Sequence, residues 1–115
     1  MRTPPPEEIR LHPERNALTL AYGTQHYTLS AEFLRVHSPS AEVRGHGKPV
    51  LQTGKRKVLI KDLLPAGNYA LKIVFDDGHD SGLYDWDYLY RLATEHDALW
   101  QDYLAQLAAA GGSRD

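Results

Sequence analysis

Residues 69–92, YALKIVFDDGHDSGLYDWDYLYRL, hold a strand, a turn, a second strand and the start of a helix in direct succession. Tyr69, Leu71, Ile73 and Phe75 recur at every second position and so share one face of a strand. Asp76-Asp77-Gly78 then supplies the small and φ-permissive residues of a tight hairpin turn, and Ser81 to Tyr84 returns as the partner strand. This register places His79 just past the turn. Downstream the period changes: Trp86, Leu89, Ala93, Trp100, Leu104 and Leu107 recur at near-helical spacing up to Gly111-Gly112. Thr94-x-x-Asp97 resembles a capping box, which predicts a break near Thr94 and a helix pair.

Working outward from that stretch, the earlier chain reads as strands. Pro4 to Pro6 fit neither a sheet interior nor a helix, so residues 1–7 are an extended lead-in. Ile9 with Leu11, then Leu18 with Leu20 and Tyr22, then Tyr27 to Leu29 alternate with polar neighbours, and the turns fall at His12 to Asn16 and at Gly23. Ser30 caps a short helix over Ala31 to Arg35, which Pro39 ends. From Ser38 to Thr53, SPSAEVRGHGKPVLQT shows no period and reads as loop, with a strand available at Val50 to Gln52 and another at Val58 to Ile60. The fold class is therefore α+β: an antiparallel meander, a short helix after the third strand, and a C-terminal helix or helix pair packed on the sheet. One domain spans residues 8–110, and 111–115 is a tail. Its expected core is Leu18, Leu20, Phe33, Leu34, Ile60, Leu71, Ile73, Phe75, Trp86 and Leu104.

Composition narrows the function classes. At 115 residues and 13.0 kDa there is room for one core, and 42% hydrophobic against 24% charged residues is globular. Lys plus Arg number 13 against 15 Asp plus Glu, a net charge of −2 with a pI near 6.3. That balance offers no field for a polyanion, so nucleic acid is not an expected partner. With no cysteine, disulfides, thiolate metal sites and cysteine nucleophiles are excluded. No apolar run reaches the length of a membrane span and the N-terminus lacks a signal-peptide core, so a cytoplasmic protein without membrane association is expected.

Catalytic motifs fail on inspection. Gly54-Lys55 would need glycine at position 49 and a hydroxyl at 56 to form a phosphate loop, but Pro49 and Arg56 stand there. His12-x-Glu14 matches only part of an iron-oxygenase triad, and no nucleophile elbow accompanies the serines. Lys55-Arg56-Lys57 with Lys61 reads as a solvated strand face, and the late tyrosines and tryptophans as helix packing. Six histidines remain conspicuous. His37, His46 and His79 lie in or beside loops with Asp77 near the last, a neutral N/O donor set of the kind that holds iron or zinc. The long loop also gathers Arg44, His46, Lys48, Lys55 and Arg56, donors suited to an acidic partner surface or a small anion.

FLRVHSPSAEVRGHG at 33–47, LQTGKRKV at 51–58 and the block D-G-H-x-S-G-x-Y-x-W-x-Y-L at 77–89 resemble the standalone bacterial proteins related to the N-terminal domain of γ-butyrobetaine hydroxylase. Ser38, Ser40, Gly78, His79 and Trp86 are the motif positions. The resemblance implies no hydroxylase activity, because the iron and 2-oxoglutarate chemistry of those enzymes belongs to a separate domain. It implies instead a zinc site of three cysteines and one histidine. Here Ser38, Ser40 and Val43 stand at the cysteine positions and only the histidine is kept, as His79. A histidine without its metal can still tie the hairpin to the serine loop through a hydrogen bond. A similar module is fused to Mrp-type scaffold proteins of iron–sulfur cluster assembly. The expected function is thus a non-catalytic binding or accessory module, docking a protein partner in iron–sulfur or metal-cofactor metabolism through the loop from His37 to Lys57. The alternative is an iron- or zinc-binding protein built on His79 and the loop histidines.

Overall fold

The computed structural model describes residues 3–39, 51–80 and 82–115. The elements in order are β1 (Glu8–Leu11), β2 (Ala17–Tyr22), β3 (Gln25–Ser30), α1 (Ala31–Val36), β4 (Ile60–Ala66), β5 (Ala70–Phe75), β6 (Leu83–Asp85), α2 (Trp86–Thr94) and α3 (His96–Ala110). The α+β class is as the periodicities predict. Ser40, Arg44, His46, Lys48, Val50 and Ser81 fall outside the described residues, and the expectations placed on them with them.

The strands form two three-stranded antiparallel sheets, β1-β2-β3 and β4-β5-β6, where a single meander was expected. Helix α1 and the long connection to β4 separate them in sequence. Both sheets turn their apolar faces to one core: Leu18, Leu20 and Leu29 from the first meet Ile60, Leu71, Ile73, Phe75 and Tyr84 from the second. Leu18 faces Leu29 across the β2–β3 ladder and Leu71 faces Tyr84 across β5–β6, so each buried row is continuous between strands. Burying each such side chain contributes about 1.5–3 kcal/mol. The turn before β2 joins the sheets covalently distant from one another. Arg15 takes φ 61, its carbonyl accepts the Ile60 N–H at 2.7 Å, and its Nη1 donates to the Lys61 carbonyl at 2.7 Å.

Local sequence explains most element ends. Ser30 caps α1 by accepting the Phe33 N–H at 3.0 Å, and Asp85 caps α2 by accepting from Tyr88 N at 2.8 Å. Gly111, at φ 67, closes α3 in the left-handed conformation.

Several local expectations are corrected. The strand placed at Val58 to Ile60 begins at Ile60 and runs to Ala66, interrupted by a bulge between Ile60 and Asp62. Its sequence does not alternate cleanly, and Pro65 is tolerated because β4 is an edge strand. Tyr69 belongs to the preceding turn and is 52% exposed, not part of the β5 inner face. The return strand is Leu83–Asp85 rather than one beginning at Ser81. The helix break expected near Thr94 falls there, at Glu95, although Thr94 does not cap the second helix: its hydroxyl donates back to the Tyr90 carbonyl at 2.9 Å. Trp86 only borders the main core and Leu104 a smaller cluster of Val36, Tyr103 and Leu107, and the helical share of the main core comes from Ala31, Phe33, Leu34, Leu89, Leu92 and Ala93. Of the strand expected at Val50 to Gln52, the described residues Leu51 and Gln52 form none. No helix among the described residues is long and apolar enough to cross a membrane.

Candidate functional site

Helix α1, AEFLRV, is buried along its whole length, including its two charged residues. A buried charge is costly without a partner, so Arg35 and Glu32 locate the polar interior of the protein. Arg35 is 4% exposed, and its Nε donates to Asp77 Oδ2 at 2.9 Å while Nη1 reaches Gln52 Oε1 at 3.3 Å. Lys55 Nζ donates to the same Asp77 oxygen at 3.2 Å, and Asp77 Oδ1 accepts the His79 N–H at 3.1 Å. Burial pushes the Asp77 carboxyl up, but the His79 N–H and the two cations outweigh it and hold it below the usual carboxylate value.

Next to this ion pair lies a neutral pair. Ser38, 2% exposed, and His79, 5% exposed, are hydrogen-bonded between Oγ and Nε2 at 2.8 Å. His79 reaches this position because Gly78, at φ 90, turns the chain after β5, and the Phe75 N–H closes the turn on the His79 carbonyl at 2.9 Å. Gly82 makes the approach feasible. A β-carbon there would stand 2.4 Å from Ser38 Oγ and 3.2 Å from Tyr84 Cε1. The Tyr84 hydroxyl donates to the Leu34 carbonyl, and burial raises its pKa far above the ordinary phenol value.

His37 caps α1, with Nδ1 against the Phe33 carbonyl at 2.8 Å and its ring centroid 4.5 Å from that of Phe33. Burial lowers its pKa below 6.5, partly offset by that carbonyl. Tyr88 donates to the His37 carbonyl, and Tyr103 donates to the Gln52 carbonyl at 2.7 Å.

The structure thus brings His37, Ser38, Lys55, Asp77 and His79 to one end of the core but gives each imidazole a different task. Trp86 is elsewhere, its Nε1 donating to Asn68 O at 2.9 Å, and Arg56 faces Asp115 at 3.3 Å. Arg35, Gln52, Gly82 and Tyr84 complete the cluster without having been singled out from sequence. A lone arginine between apolar neighbours in a helix that short was the available signal for the first.

A zinc ion does not fit this donor set. One imidazole and one neutral hydroxyl are engaged with each other, whereas a structural zinc site takes four donors, thiolates foremost. Among the described residues no three His, Asp or Glu side chains converge as a metal cluster. An open cleft of about 540 Å³ lies elsewhere, between β3 and the α2–α3 junction, lined by His26, Thr28, Thr94 and His96 among others.

Residues 9–90 match the family described as gamma-butyrobetaine hydroxylase-like, N-terminal. A solution NMR structure 63% identical in sequence superposes with a TM-score of 0.89, covering 99% of this chain and 92% of that one. Another, 52% identical, has a TM-score of 0.83 and covers 97% and 86%. A crystal structure from Acidithiobacillus ferrooxidans, of a protein of unknown function in the DUF971 family, is 32% identical with a TM-score of 0.65 over 76% of this chain and 91% of that one. No curated protein matches. On the extent of the match, the chain belongs to the gamma-butyrobetaine hydroxylase-like N-terminal family.

Proposed function

We propose that this protein is a non-catalytic docking module whose contact surface is the loop between His37 and Lys57. One observation carries the reading: both feet of that loop are fastened into the same buried polar cluster. At one foot Ser38 is bonded to His79, and at the other Gln52 and Lys55 are held by Arg35, Tyr103 and Asp77. Such side-chain networks specify one geometry for the segments they join. A frame of this kind suits a loop that must be presented to a partner, and the loop's Arg44, His46 and Lys48 supply donors for an acidic one. The buried Ser38–His79 pair serves the frame rather than chemistry on a substrate.

The resemblance to modules fused with iron–sulfur scaffold proteins makes an assembly or metal-cofactor protein the partner of choice. Arg44→Ala combined with His46→Ala, in protein of unchanged circular dichroism and melting temperature, should weaken capture of the partner found by pull-down. Recovery of the same partner with the same salt sensitivity would refute the loop as contact surface. Elemental analysis of tag-free protein and melting with and without EDTA address the metal-binding alternative. A stoichiometric metal, or a fall of many degrees with chelator, would replace the docking reading by that alternative.

A further inference from the structure

Residues 113–115, Ser-Arg-Asp, are not a free tail. After Gly111 the Gly112 N–H bonds to the Leu107 carbonyl at 2.9 Å, and the chain turns back along residues 53–56. The Gly54 N–H donates to the Ser113 carbonyl at 3.0 Å and the Arg56 N–H to the Arg114 carbonyl at 3.0 Å. Two backbone N–H groups of this turn thus hold consecutive carbonyls of the segment. Beside these bonds Arg114 lays a half-buried side chain over a buried carboxylate. Its Nε and Nη2 donate to Glu32 Oε2 at 2.9 Å and Oε1 at 2.7 Å, and its guanidinium carbon stands 5.2 Å from the Trp100 ring centroid. Glu32 is a carboxylate only 6% exposed on helix α1, whose other charged residue, Arg35, is paired with Asp77. At the rim, Arg56 Nη1 lies 3.3 Å from both carboxylate oxygens of Asp115.

A buried carboxylate near an aromatic ring, flanked by two backbone N–H donors, recognises one side chain: arginine. The planar fork satisfies both carboxylate oxygens and stacks on the indole, which an ammonium cannot do. We propose that this groove is a peptide-docking site that reads an arginine followed by an acidic residue, and that residues 113–115 are its displaceable cis occupant. The contacts of Ser113, Arg114 and Asp115 with Glu32, Gly54, Arg56 and Trp100 use a backbone carbonyl, a guanidinium or a carboxylate, all of which a partner's segment can offer. Ser113 and Asp115 stay exposed and add no apolar side chain to the core. Tethering through Gly111-Gly112 gives the cis segment an effective concentration on the order of millimolar, so it masks the groove against weaker peptides. The inference does not rest on the loop reading, since a peptide titration addresses this groove alone and partner capture by the Arg44 and His46 variant addresses the loop.

The test uses the full chain carrying Arg114→Ala, titrated with the peptide acetyl-Gly-Gly-Ser-Arg-Asp and followed by the amide NMR signals of Gly54 and Arg56 and by tryptophan fluorescence. The variant should bind the peptide with shifts centred on those two amides, and the unaltered chain should bind at least about 10-fold more weakly, because its own arginine competes. A lysine in place of the peptide's arginine, or Glu32→Gln added to the variant, should abolish binding. The proposal is overturned if the variant does not bind, if the unaltered chain binds equally, or if the lysine peptide binds as well. It is overturned too if Arg114→Ala unfolds the domain, for then the segment is part of the fold and not a displaceable ligand.

Discussion

Gly82→Ala is the most exacting test of the buried cluster. The added β-carbon would stand 2.4 Å from Ser38 Oγ and 3.2 Å from Tyr84 Cε1, and real β-carbons do not approach other atoms at 2.4 Å. Gly82 has no positive φ, so the substitution introduces crowding without backbone strain. Neither neighbour can yield freely: Ser38 Oγ is bonded to His79 Nε2 at 2.8 Å, and Tyr84 is wholly buried with its hydroxyl on the Leu34 carbonyl. Forcing Ser38 aside breaks a buried hydrogen bond, a loss of about 1–3 kcal/mol. Overpacking a tight interior adds about 1–3 kcal/mol. The expected cost is therefore roughly 2–6 kcal/mol, a large part of the stability of a domain this size. Urea unfolding followed by circular dichroism measures it. A double-mutant cycle identifies the cause, because Ser38→Ala removes the oxygen in conflict. Gly82→Ala with Ser38→Ala should be clearly less destabilised than the sum of the two single variants. Additive losses, or a Gly82→Ala protein as stable as the parent, would refute the packing described for this cluster.

Three further outcomes follow from the same geometry. Gly78→Val should destabilise by about 1–3 kcal/mol through φ strain alone, since Gly78 sits at φ 90 and its added β-carbon meets nothing within 4 Å; equal midpoints in urea would remove the turn that places His79. Tyr22→Phe should leave stability unchanged or raise it by up to about 1 kcal/mol, because the buried Tyr22 hydroxyl has no hydrogen-bond partner among the described residues, and a loss above 1 kcal/mol would reveal one. Because burial lowers the His37 pKa below its ordinary 6.5, the unfolded chain takes up that proton first: stability should be full above pH 6.5 and decline as pH falls below it, and His37→Gln should flatten the profile between there and the carboxylate range. A slope unaltered by that substitution would assign the dependence to another group.

The fold was legible where one periodicity governed a segment. Leu18, Leu20 and Leu29 alternate on strands with a single buried face, Ser30 stands at a cap position, and Gly111 ends a helix, so local chemistry and the final structure agree at each. Sequence failed where a long-range partner decides. Nothing local in Leu63-Leu64-Pro65-Ala66 announces a strand, and β4 exists because Asp62 to Ala66 pair with Val74 to Ala70 and the proline lies at the sheet edge. Tyr69 shows the opposite error. Its alternation with Leu71 is genuine, but Gly67, at φ 57, turns the chain immediately before it and leaves the ring outside.

The polar cluster was legible in its motif positions and illegible in its wiring, and the reason is sequence separation. Ser38 and His79 are 41 residues apart, and so was any direct evidence that they touch. Periodicity reports which face a residue occupies, not which distant residue meets it. What a single sequence does carry is a cost that needs compensation. Glu32 and Arg35 occupy a helix of six residues whose other members are apolar, and a carboxylate and a guanidinium forced inward must each find an opposite charge. Arg35 found Asp77 and Glu32 found Arg114, so each of these two charges marks the place where a distant segment docks on α1. For Arg35 that segment is the β5–β6 turn, which carries His79 into the frame of the loop. For Glu32 it is residues 113–115, whose docking no hydrophobic pattern could have disclosed, because that segment contributes only polar groups and has no period of its own.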